Sequence, residues 1–291
     1  MKLSIIANPV AGRGRAYKSI RRYIDQWEYP GWEVDLQTTR SRDHAGQLAR
    51  ELLSSPPDLL VICGGDGTIN EVASQISDPP FPIAIIPAGT ANVIARELGL
   101  PLNPVRALKI GLKRVRRNID LGILGPGSRR RFLFVAGIGF DAYVVSQVNE
   151  KLKSKVGIAA YAVAIVRCLL TYSFPEFNVI AEGGSYTATS CLAANGRRYG
   201  GGLLFCPDAD MCDGSFDILV MQGRRRYALA WFLLKAWLQI PGKNEWVHRF
   251  RAHALRIEGP SDVCVQADGE LVGGLPLEIN LARSTFPLVV P

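Results

Sequence analysis

The chain alternates between strand-like and helix-like segments up to about residue 120, and this alternation constrains the fold more than any other feature. Four runs predict strands: Lys2–Ala7, Glu33–Thr38, Asp58–Cys63 and Phe81–Ile86. Residues with helical spacing lie between them, including Arg15–Trp27 and a segment that begins after Ser41, a typical helix cap. This order predicts a parallel sheet with helices on both faces, which is a doubly wound α/β domain.

After about residue 122, strand-like runs dominate and glycine-rich turns separate them. The predicted strands are Phe132–Ala136, Phe177–Ala181, Thr187–Ala194, Phe216–Met221, Leu255–Glu258, Val263–Ala267 and Leu275–Leu281. Short strands with regular turns predict an antiparallel sandwich or barrel, and we expect a β-sandwich. The predicted architecture is therefore an α/β domain over residues 1–122, a β-rich domain over 123–283, and a C-terminal segment, 284–291, that returns to the first domain. The expected cleft between the domains is a common kind of ligand site.

Two longer apolar stretches, Val156–Leu170 and Ala228–Ile240, are interrupted by Arg167 and Lys235. Both are shorter than the ~20 residues that a membrane-spanning helix needs. We therefore expect two buried or interfacial helices inserted in the β-rich domain. The apolar run Leu3–Ala7 is too short for a signal peptide. The six cysteines form no CxxC pair, so we interpret them as reduced core residues of a cytoplasmic protein.

The net charge of +8 predicts a negatively charged partner: nucleic acid, anionic lipid or a phosphorylated substrate. Basic residues cluster within 106–117, 129–131 and 224–226. Each cation near an anionic membrane would contribute on the order of 1 kcal/mol, and the alternative is a solvated face. The aromatic residues of the second apolar stretch have helical spacing and form no strand platform for stacked bases, which argues against nucleic acid. That helix either belongs to the core or dips into lipid.

The strongest local motif is Gly64–Thr68, followed by Asn70 and Glu71, at the end of a predicted strand. Ligands of open α/β sheets bind at the carboxyl ends of strands, where glycines let the backbone approach the ligand and helix N–H groups favour phosphate. Asp66 would repel a bare phosphate, so it indicates Mg²⁺ or a hydrogen-bonding role near a nucleotide. The alternative is a tight turn in which Asp66 and Thr68 cap the helix.

Two further loops follow strands at the same edge of the predicted sheet. We name the three in chain order: the first loop is Asn8–Gly14, the second is Gly64–Thr68 and the third is Pro87–Asn92. Together they would build a polar floor for a polyphosphate. The GxxxxGK[ST] pattern of a P-loop is absent, and no GxGxxG follows the first strand.

The motifs NPVAGRG, GGDGT and PAGTAN resemble the catalytic domain of the diacylglycerol kinase family, which includes bacterial lipid kinases and is related to sphingosine and ceramide kinases. Further matching segments occur in the expected order: Asp120–Gly122, Gly137–Ala142, Asn195–Gly196, Tyr199–Gly202, Pro207, Asp213–Asp217 and Gln266–Glu270. The resemblance spans nearly the whole chain. GGDGT is shared with NAD kinases, whereas PxGTxN and the final DGE favour the lipid kinases.

The resemblance implies a kinase that uses ATP and Mg²⁺. It implies that Asp268 is the general base, that Glu270 is its acidic neighbour near Mg²⁺, and that Asp66 organises ATP and Mg²⁺. Asp213 resembles part of a second, structural Mg²⁺ site, and Asp120 would support the metal or the phosphates. The remaining nucleotide-binding positions implied are Asn8, Gly12, Gly64, Gly65, Gly67, Thr68, Glu71, Gly89, Thr90 and Asn92.

One departure concerns Val93, because many family members have Asp directly after the Asn of PxGTxN. The acceptor would be diacylglycerol or a related lipid, reached by a cytoplasmic protein at the inner face of an anionic membrane. A homodimer is a further expectation from the family. Two alternatives stay open at this point: a kinase of a soluble acceptor related to NAD kinase, and a nucleotide-binding protein without turnover.

Overall fold

The computed structural model describes residues 1–27, 30–125, 130–148, 159–200, 202–240 and 245–291. These residues form two compact units, Met1–Ile119 with Ser284–Pro291, and Asp120–Arg283. The boundary predicted after residue 122 lies three residues beyond the one in the structure. Parts of three sequence features lie outside the described residues: 156–158 of the first apolar stretch, Arg129 of one basic cluster and Gly201 of one family segment.

The first unit is built on a parallel sheet in the order β2-β1-β3-β4. Its strands are β1 (Lys2–Ala7), β2 (Glu33–Thr38), β3 (Leu59–Gly64) and β4 (Ile83–Pro87). Its helices are α1 (Arg15–Asp25), α2 (His44–Glu51), α3 (Asp66–Gln75), α4 (Val93–Glu97) and α5 (Pro104–Gly111), with a 3-10 turn, Ala11–Gly14, before α1. The predicted parallel α/β fold is confirmed.

The central strands of this sheet are continuous apolar runs because helices cover them. Ala16 and Ile20 of α1 and Leu108 of α5 join the alternate residues of β1, β3 and β4 in one core. Ile69, Val72 and Ala73 on one face of α3 are buried, as is Ile76 directly after the helix. Thr285, in the C-terminal segment of this unit, donates its N–H (2.6 Å) and its hydroxyl (3.0 Å) to Asp78 Oδ1.

The second unit is mainly antiparallel. Its strands are β5 (Arg116–Gly125), β6 (Arg130–Phe132), β7 (Val135–Gly139), β8 (Phe177–Ala181), β9 (Gly184–Ala188), β10 (Ser190–Ala194), β11 (Arg198–Tyr199), β12 (Leu203–Leu204), β13 (Phe216–Met221), β14 (Val247–Ala252), β15 (Ala254–Glu258), β16 (Val265–Ala267), β17 (Glu270–Gly273) and β18 (Leu277–Val289), of which the first residues of β5 and the last of β18 belong to the first unit. Its helices are α6 (Phe140–Gln147), α7 (Ala159–Thr171) and α8 (Arg226–Trp237).

Two sheets of this unit share one core. One sheet has the order β14-β13-β10-β7-β16-β17, and the strands β18-β15-β8-β9 pair in the other. Ile138 and Ile218 from the first sheet and Val179 and Ile257 from the second belong to the same buried cluster. The predicted antiparallel β-sandwich is therefore confirmed, because alternate side chains of both sheets fill the space between them.

Three local predictions were wrong in detail. Ser41 does not cap α2, which begins at His44 after Asp43, a residue with φ of +64°. The strand predicted over Thr187–Ala194 is two strands separated at Thr189, whose hydroxyl donates to the Gly223 carbonyl oxygen (2.9 Å). The strand predicted over Phe132–Ala136 is also two strands, β6 and β7, for a reason that lies in the site described below.

The two apolar stretches form the helices α7 and α8, as predicted. No helix in the described part of the chain is long and apolar enough to cross a membrane. All six cysteines are described, none is in a disulfide, and four of them are buried.

Candidate functional site

The three glycine-containing loops lie together in the first unit because β3 lies between β1 and β4. The Asn8 N–H donates to the Cys63 carbonyl oxygen (2.8 Å), and the Ala88 N–H donates to the Gly64 carbonyl oxygen (2.9 Å). These two bonds fasten the first and third loops to the end of β3, where the second loop begins. The structure thus brings together most of the nucleotide-binding positions that the sequence suggested.

A side-chain bond joins the first loop to the second. Asn8 Nδ2 donates to Thr68 Oγ1 (3.2 Å), and Asn8 Oδ1 accepts the N–H of Val10 (3.1 Å). Thr68 is buried in the first turn of α3, and the residue before this helix, Gly65, has no capping side chain. The alternative in which Asp66 and Thr68 cap the helix is therefore wrong, because both residues are already inside it.

The loops approach one another so closely that two positions accept only glycine. A Cβ on Gly12, whose φ is +54°, would lie 2.2 Å from the Ala88 carbonyl oxygen. A Cβ on Gly89 would lie 2.7 Å from the Gly65 Cα. The backbones of the three loops therefore lie in direct contact, which glycine permits because it has no side chain.

The third loop is closed by Asn92, which has φ of +48° and is nearly buried. Asn92 Oδ1 accepts the N–H of Gly89 (2.7 Å), and Nδ2 donates to the Gly89 carbonyl oxygen (2.9 Å). These paired bonds fix the shape of the loop, so Asn92 supports the site from within. Thr90 is exposed at the tip of the same loop.

Asp66 lies at the start of α3 and faces the start of α4. Its Oδ1 accepts the N–H of Ile94 (3.2 Å). Burial raises the pKa of the Asp66 carboxyl, and the N–H groups of Ile94 and Val93 act in the opposite direction. The two helix N-termini favour the charged form at this position. This arrangement can hold a single carboxylate beside bound phosphates.

Glu71 serves α2. Its Oε2 accepts the N–H of Ala45 in the first turn of that helix (3.2 Å). Gly64 is fixed by local packing, since a Cβ there would lie 2.5 Å from the Thr68 side chain, whereas a Cβ on Gly67 would meet no atom within 4 Å. The nucleotide-binding roles of these three positions stay predictions.

In the second unit, Asp268 holds the segment between β6 and β7. Its Oδ2 accepts the N–H of Leu133 (2.6 Å), and its Oδ1 accepts those of Phe134 (2.8 Å) and Val135 (3.0 Å). This is why the predicted strand over Phe132–Ala136 is interrupted: the carboxylate takes N–H groups that a strand would use for its ladder. Three backbone donors on its two oxygens fix the orientation of the carboxylate.

Asp268 and Gly269 form the turn between β16 and β17, with φ values of +49° and +85°. Two positive φ values are typical of a two-residue hairpin of type I′. Asp268 is thus not on the same extended strand as Glu270, which begins β17 and forms an ion pair with Arg130. The general-base role that the resemblance implies for Asp268 stays a prediction.

Gln266 stabilises this turn by a hydrogen bond to its backbone. The sequence-based predictions gave this residue no role. It is fully buried. Its Oε1 accepts the N–H of Gly269 (2.7 Å), and its Nε2 donates to Asp141 Oδ2 (2.6 Å). Burial raises the pKa of the Asp141 carboxyl to about 7, against a lowering by the Gln266 bond. A Cβ on Gly137 would lie 2.0 Å from Asp141 Oδ2, which accounts for glycine at that position.

Asp120 and Asp213 lie near each other in the second unit. Asp120 Oδ2 accepts the N–H of Gly214 (2.8 Å), and burial, followed by the charges of Asp213 and Asp210, raises the pKa of Asp120 despite that bond. Asp213 Oδ1 accepts the N–H (3.1 Å) and the hydroxyl (2.9 Å) of Ser215, and Oδ2 lies 3.1 Å from Arg251 Nη1. This cluster is therefore held by protein donors.

The donor atoms permit a test of fit for Mg²⁺, which is usually held by one or two carboxylates together with substrate phosphates. Asp66 fits this pattern, because it is a single carboxylate beside the three glycine-containing loops. Asp213 fits it less well, because Arg251 and Ser215 engage its oxygens. No group of three or more His, Cys, Asp or Glu side chains in the described ranges is arranged to hold a metal.

Comparisons with known proteins cover both units. Residues 2–124 match the family described as "Diacylglycerol kinase catalytic domain", and residues 135–290 match "YegS C-terminal NAD kinase beta sandwich-like domain". A protein of Mycobacterium tuberculosis named diacylglycerol kinase is 30% identical over 296 residues, which cover 100% of this chain and 95% of that protein. The chain belongs to the diacylglycerol kinase family. The resemblance in the sequence motifs is thereby confirmed.

One further relative has a related name, and two solved structures share the fold. A Pseudomonas fluorescens protein whose name describes a YegS-like lipid kinase is 32% identical over 72% of this chain and 70% of its own length. The crystal structure of a diacylglycerol kinase from Bacillus anthracis has a TM-score of 0.76 at 23% identity and covers 100% of this chain and 97% of that one. An NAD kinase from Archaeoglobus fulgidus, solved with ATP, has a TM-score of 0.58 at 13% identity, with coverage of 99% and 93%. These two structures share the fold.

Proposed function

We propose that this member of the diacylglycerol kinase family is an ATP-dependent lipid kinase that transfers the γ-phosphate of ATP to the hydroxyl of diacylglycerol or a closely related lipid. The observation that carries the proposal is the contact of three loops around Asp66 at the carboxyl edge of β1, β3 and β4. Such an edge is where open α/β sheets bind their ligands.

The loops bind the phosphates through backbone N–H groups. The contacts at Gly12 and Gly89 bring peptide groups together without side chains, so that they form a cradle for anionic oxygens. Asp66 would hold Mg²⁺, which neutralises the charge that develops on the transferred phosphoryl group. Asn8, Thr68 and Asn92 keep the loops in this arrangement before the nucleotide arrives.

Asp268 acts as the general base in this proposal. As the lipid hydroxyl oxygen forms its bond to the γ-phosphorus, the hydroxyl proton passes to the carboxylate, the bond from phosphorus to the β–γ bridging oxygen breaks, and ADP leaves. The three backbone donors keep the base oriented before the reaction. Gln266 supports the turn through the N–H of Gly269.

The acceptor is assigned by relationship to named proteins. The Mycobacterium tuberculosis relative, whose similarity covers 100% of this chain, is named diacylglycerol kinase. The relative from Pseudomonas fluorescens carries the broader name of a lipid kinase. Diacylglycerol is therefore the first acceptor to test. The NAD kinase fold similarity favours a soluble acceptor as the second candidate.

The direct test is transfer of label from γ-labelled ATP in the presence of Mg²⁺ to detergent-dispersed diacylglycerol, with a soluble acceptor, NAD, in a parallel reaction. In Asp66→Asn, the amide oxygen can still accept the Ile94 N–H, so the loops keep their geometry while the charge is lost. For the wild-type protein we expect label in the organic phase. For Asp66→Asn we expect kcat to fall on the order of 100-fold. Label in NAD alone would support the second candidate, and ATP binding without transfer to either acceptor would contradict both.

Gly89→Ala tests the contact between the second and third loops. The added methyl would lie 2.7 Å from the Gly65 Cα and 3.0 Å from Asn92 Oδ1, so the loops must separate. We expect the Kd for ATP to rise on the order of tenfold, as measured by calorimetry. The matched control is Gly183→Ala, where a Cβ meets no atom within 4 Å. Equal ATP affinity in the two variants would show that the close contact of the loops does not form the nucleotide site.

A further inference from the structure

Helix α8 of the second unit presents a continuous apolar stripe to solvent. Tyr227, Trp231, Leu234 and Leu238 recur at helical spacing and are 66%, 55%, 41% and 49% exposed. Trp237, beside the stripe, is 68% exposed. Single exposed apolar residues are common, but a contiguous group that includes two tryptophans marks a contact surface.

The neighbouring helix α7 adds to this surface. Val163, Val166 and Leu170 are 60%, 63% and 73% exposed, while Ala164 and Cys168 on the opposite side are buried. The two helices are joined by Arg226, which donates to the carbonyl oxygens of Leu169 and Tyr172, both at 3.0 Å. We call the exposed residues of the two helices the α7/α8 face: Val163, Val166, Leu170, Tyr227, Trp231, Leu234, Trp237 and Leu238.

The charged residues of the two helical segments that form the α7/α8 face have one sign. Residues 159–171 and 224–240 contain no Asp or Glu. They contain five cations, namely Arg167, Arg224, Arg225, Arg226 and Lys235. Arg224 lies 3.7 Å from Glu176, outside these segments. An apolar surface with only cations among its own residues is complementary to a partner that is apolar inside and anionic at its surface.

Two contacts place cations next to aromatic rings of the face. Lys235 Nζ lies 5.6 Å from the centre of the Trp231 ring. Arg225 Nη1 donates to the hydroxyl of Tyr227 at 3.0 Å. Tryptophan and tyrosine prefer the level of lipid headgroups, where an apolar ring meets polar and charged groups. Helices that lie in the membrane surface combine the same residue types.

We propose that the α7/α8 face docks on the surface of an anionic phospholipid bilayer, with its apolar side chains at the boundary of headgroups and acyl chains and its cations at the lipid phosphates. This inference rests on the proposed function, because a lipid acceptor must be reached in a bilayer. Within the described residues, helices α7 and α8 have 13 and 12 residues, below the ~20 needed to span, so in this proposal they lie along the surface.

The apolar part of the proposal is tested by flotation of the whole protein with phosphatidylcholine vesicles that contain phosphatidylglycerol. Leu234→Ser and Leu53→Ser form a matched pair, since both leucines are 41% exposed and Leu53 lies outside the face. We expect Leu234→Ser to weaken vesicle binding about fivefold and Trp231→Ser about tenfold, with no change for Leu53→Ser. Equal loss in Leu53→Ser and Leu234→Ser, or no loss in Trp231→Ser, would overturn the proposal.

The charged part is tested by adding salt and by removing phosphatidylglycerol. Binding is expected to fall as salt rises. Arg167→Gln and Lys235→Gln are each expected to weaken binding about fivefold to anionic vesicles and to have little effect on pure phosphatidylcholine. Binding that is indifferent to both salt and phosphatidylglycerol would contradict an anionic bilayer as the partner.

Two controls separate this inference from the proposed function and from a second copy of the chain as the occupant. Vesicle binding is measured without ATP and without diacylglycerol, so it stands even if the kinase assay fails. Conversely, the Trp231 and Leu234 variants should lose activity on diacylglycerol in vesicles and keep it on the detergent-dispersed lipid. Light scattering gives the molar mass of each variant. If the substitutions lower the molar mass but leave vesicle binding unchanged, the α7/α8 face is a dimer interface.

Discussion

Replacing Asp268 by Asn is expected to lower kcat on the order of 1000-fold and to lower the free energy of unfolding by about 2 kcal/mol. The first effect follows from loss of the proposed base. The second follows from the backbone bonds, because N–H groups are directed at both carboxylate oxygens. An amide has one oxygen, so its NH₂ group would face at least one N–H donor. Single-turnover kinetics and urea unfolding measure the two effects separately.

Asp78→Asn is the matched control for stability. Both donors from Thr285 are directed at one oxygen, Oδ1, so the amide oxygen of Asn can accept both bonds. We expect this variant to keep its free energy of unfolding within about 0.5 kcal/mol. If Asp268→Asn loses stability but retains full transfer activity, Asp268 is a structural residue and the base is another group.

The alternation of strands and helices made the first unit predictable. Parallel strands that are buried on both faces are read directly from apolar runs such as those of β1 and β3, and the carboxyl ends of such strands meet at one edge. This rule was sufficient to group the three loops. The rule could not predict the Asn8–Thr68 hydrogen bond or the hydrogen bonds by which Asn92 closes the third loop, because both depend on side-chain orientation.

The interrupted strand at Leu133 and Phe134 shows where local pattern fails. The apolar run from Phe132 to Ala136 has the composition of one strand. Its N–H groups bind Asp268, which lies 133 to 135 positions later in the chain. A contact at this separation leaves no trace in a local window. The sequence analysis also missed β14 and β17, because both contain charged residues and neither has the apolar pattern of a buried strand. They form strands because they pair with β13 and β16.

Asp141 is the clearest case of a buried charged residue whose surroundings the sequence concealed. It was noted within the segment Gly137–Ala142, where an Asp near a helix start has no special meaning. In the structure Asp141 is buried and accepts a hydrogen bond from Gln266. Gln266 in turn accepts the N–H of Gly269, so these two hydrogen bonds connect Asp141 to the Asp268–Gly269 turn. Burial also raises the pKa of Tyr199, with the charge of Asp141 as a further cause. The low dielectric of this region gives each of these polar bonds more weight than on the surface.

Asp141→Asn is expected to change how stability depends on pH. Burial raises the pKa of Asp141 from 3.8 to about 7 in the folded protein. Between these two values the folded state binds more protons than the unfolded state, so the free energy of unfolding contributed by Asp141 falls as pH rises. The contribution is fully present below about pH 4 and is lost above about pH 7, with a size on the order of 4 kcal/mol. Asn is neutral throughout, and its amide oxygen can accept the Gln266 bond.

Urea unfolding from pH 5 to pH 8 tests this, with the exposed Asp262→Asn as the control. Burial also raises the pKa of Asp66, Asp120 and Asp217, but these groups contribute to every protein in the series and cancel in the differences. The stability of Asp141→Asn relative to the wild type should therefore increase from pH 5 to about pH 7 and level off above it, whereas that of Asp262→Asn should stay constant. A flat difference for Asp141→Asn would mean that Asp141 is ionised in the folded protein, and the support of the Asp268 turn would then include a buried negative charge.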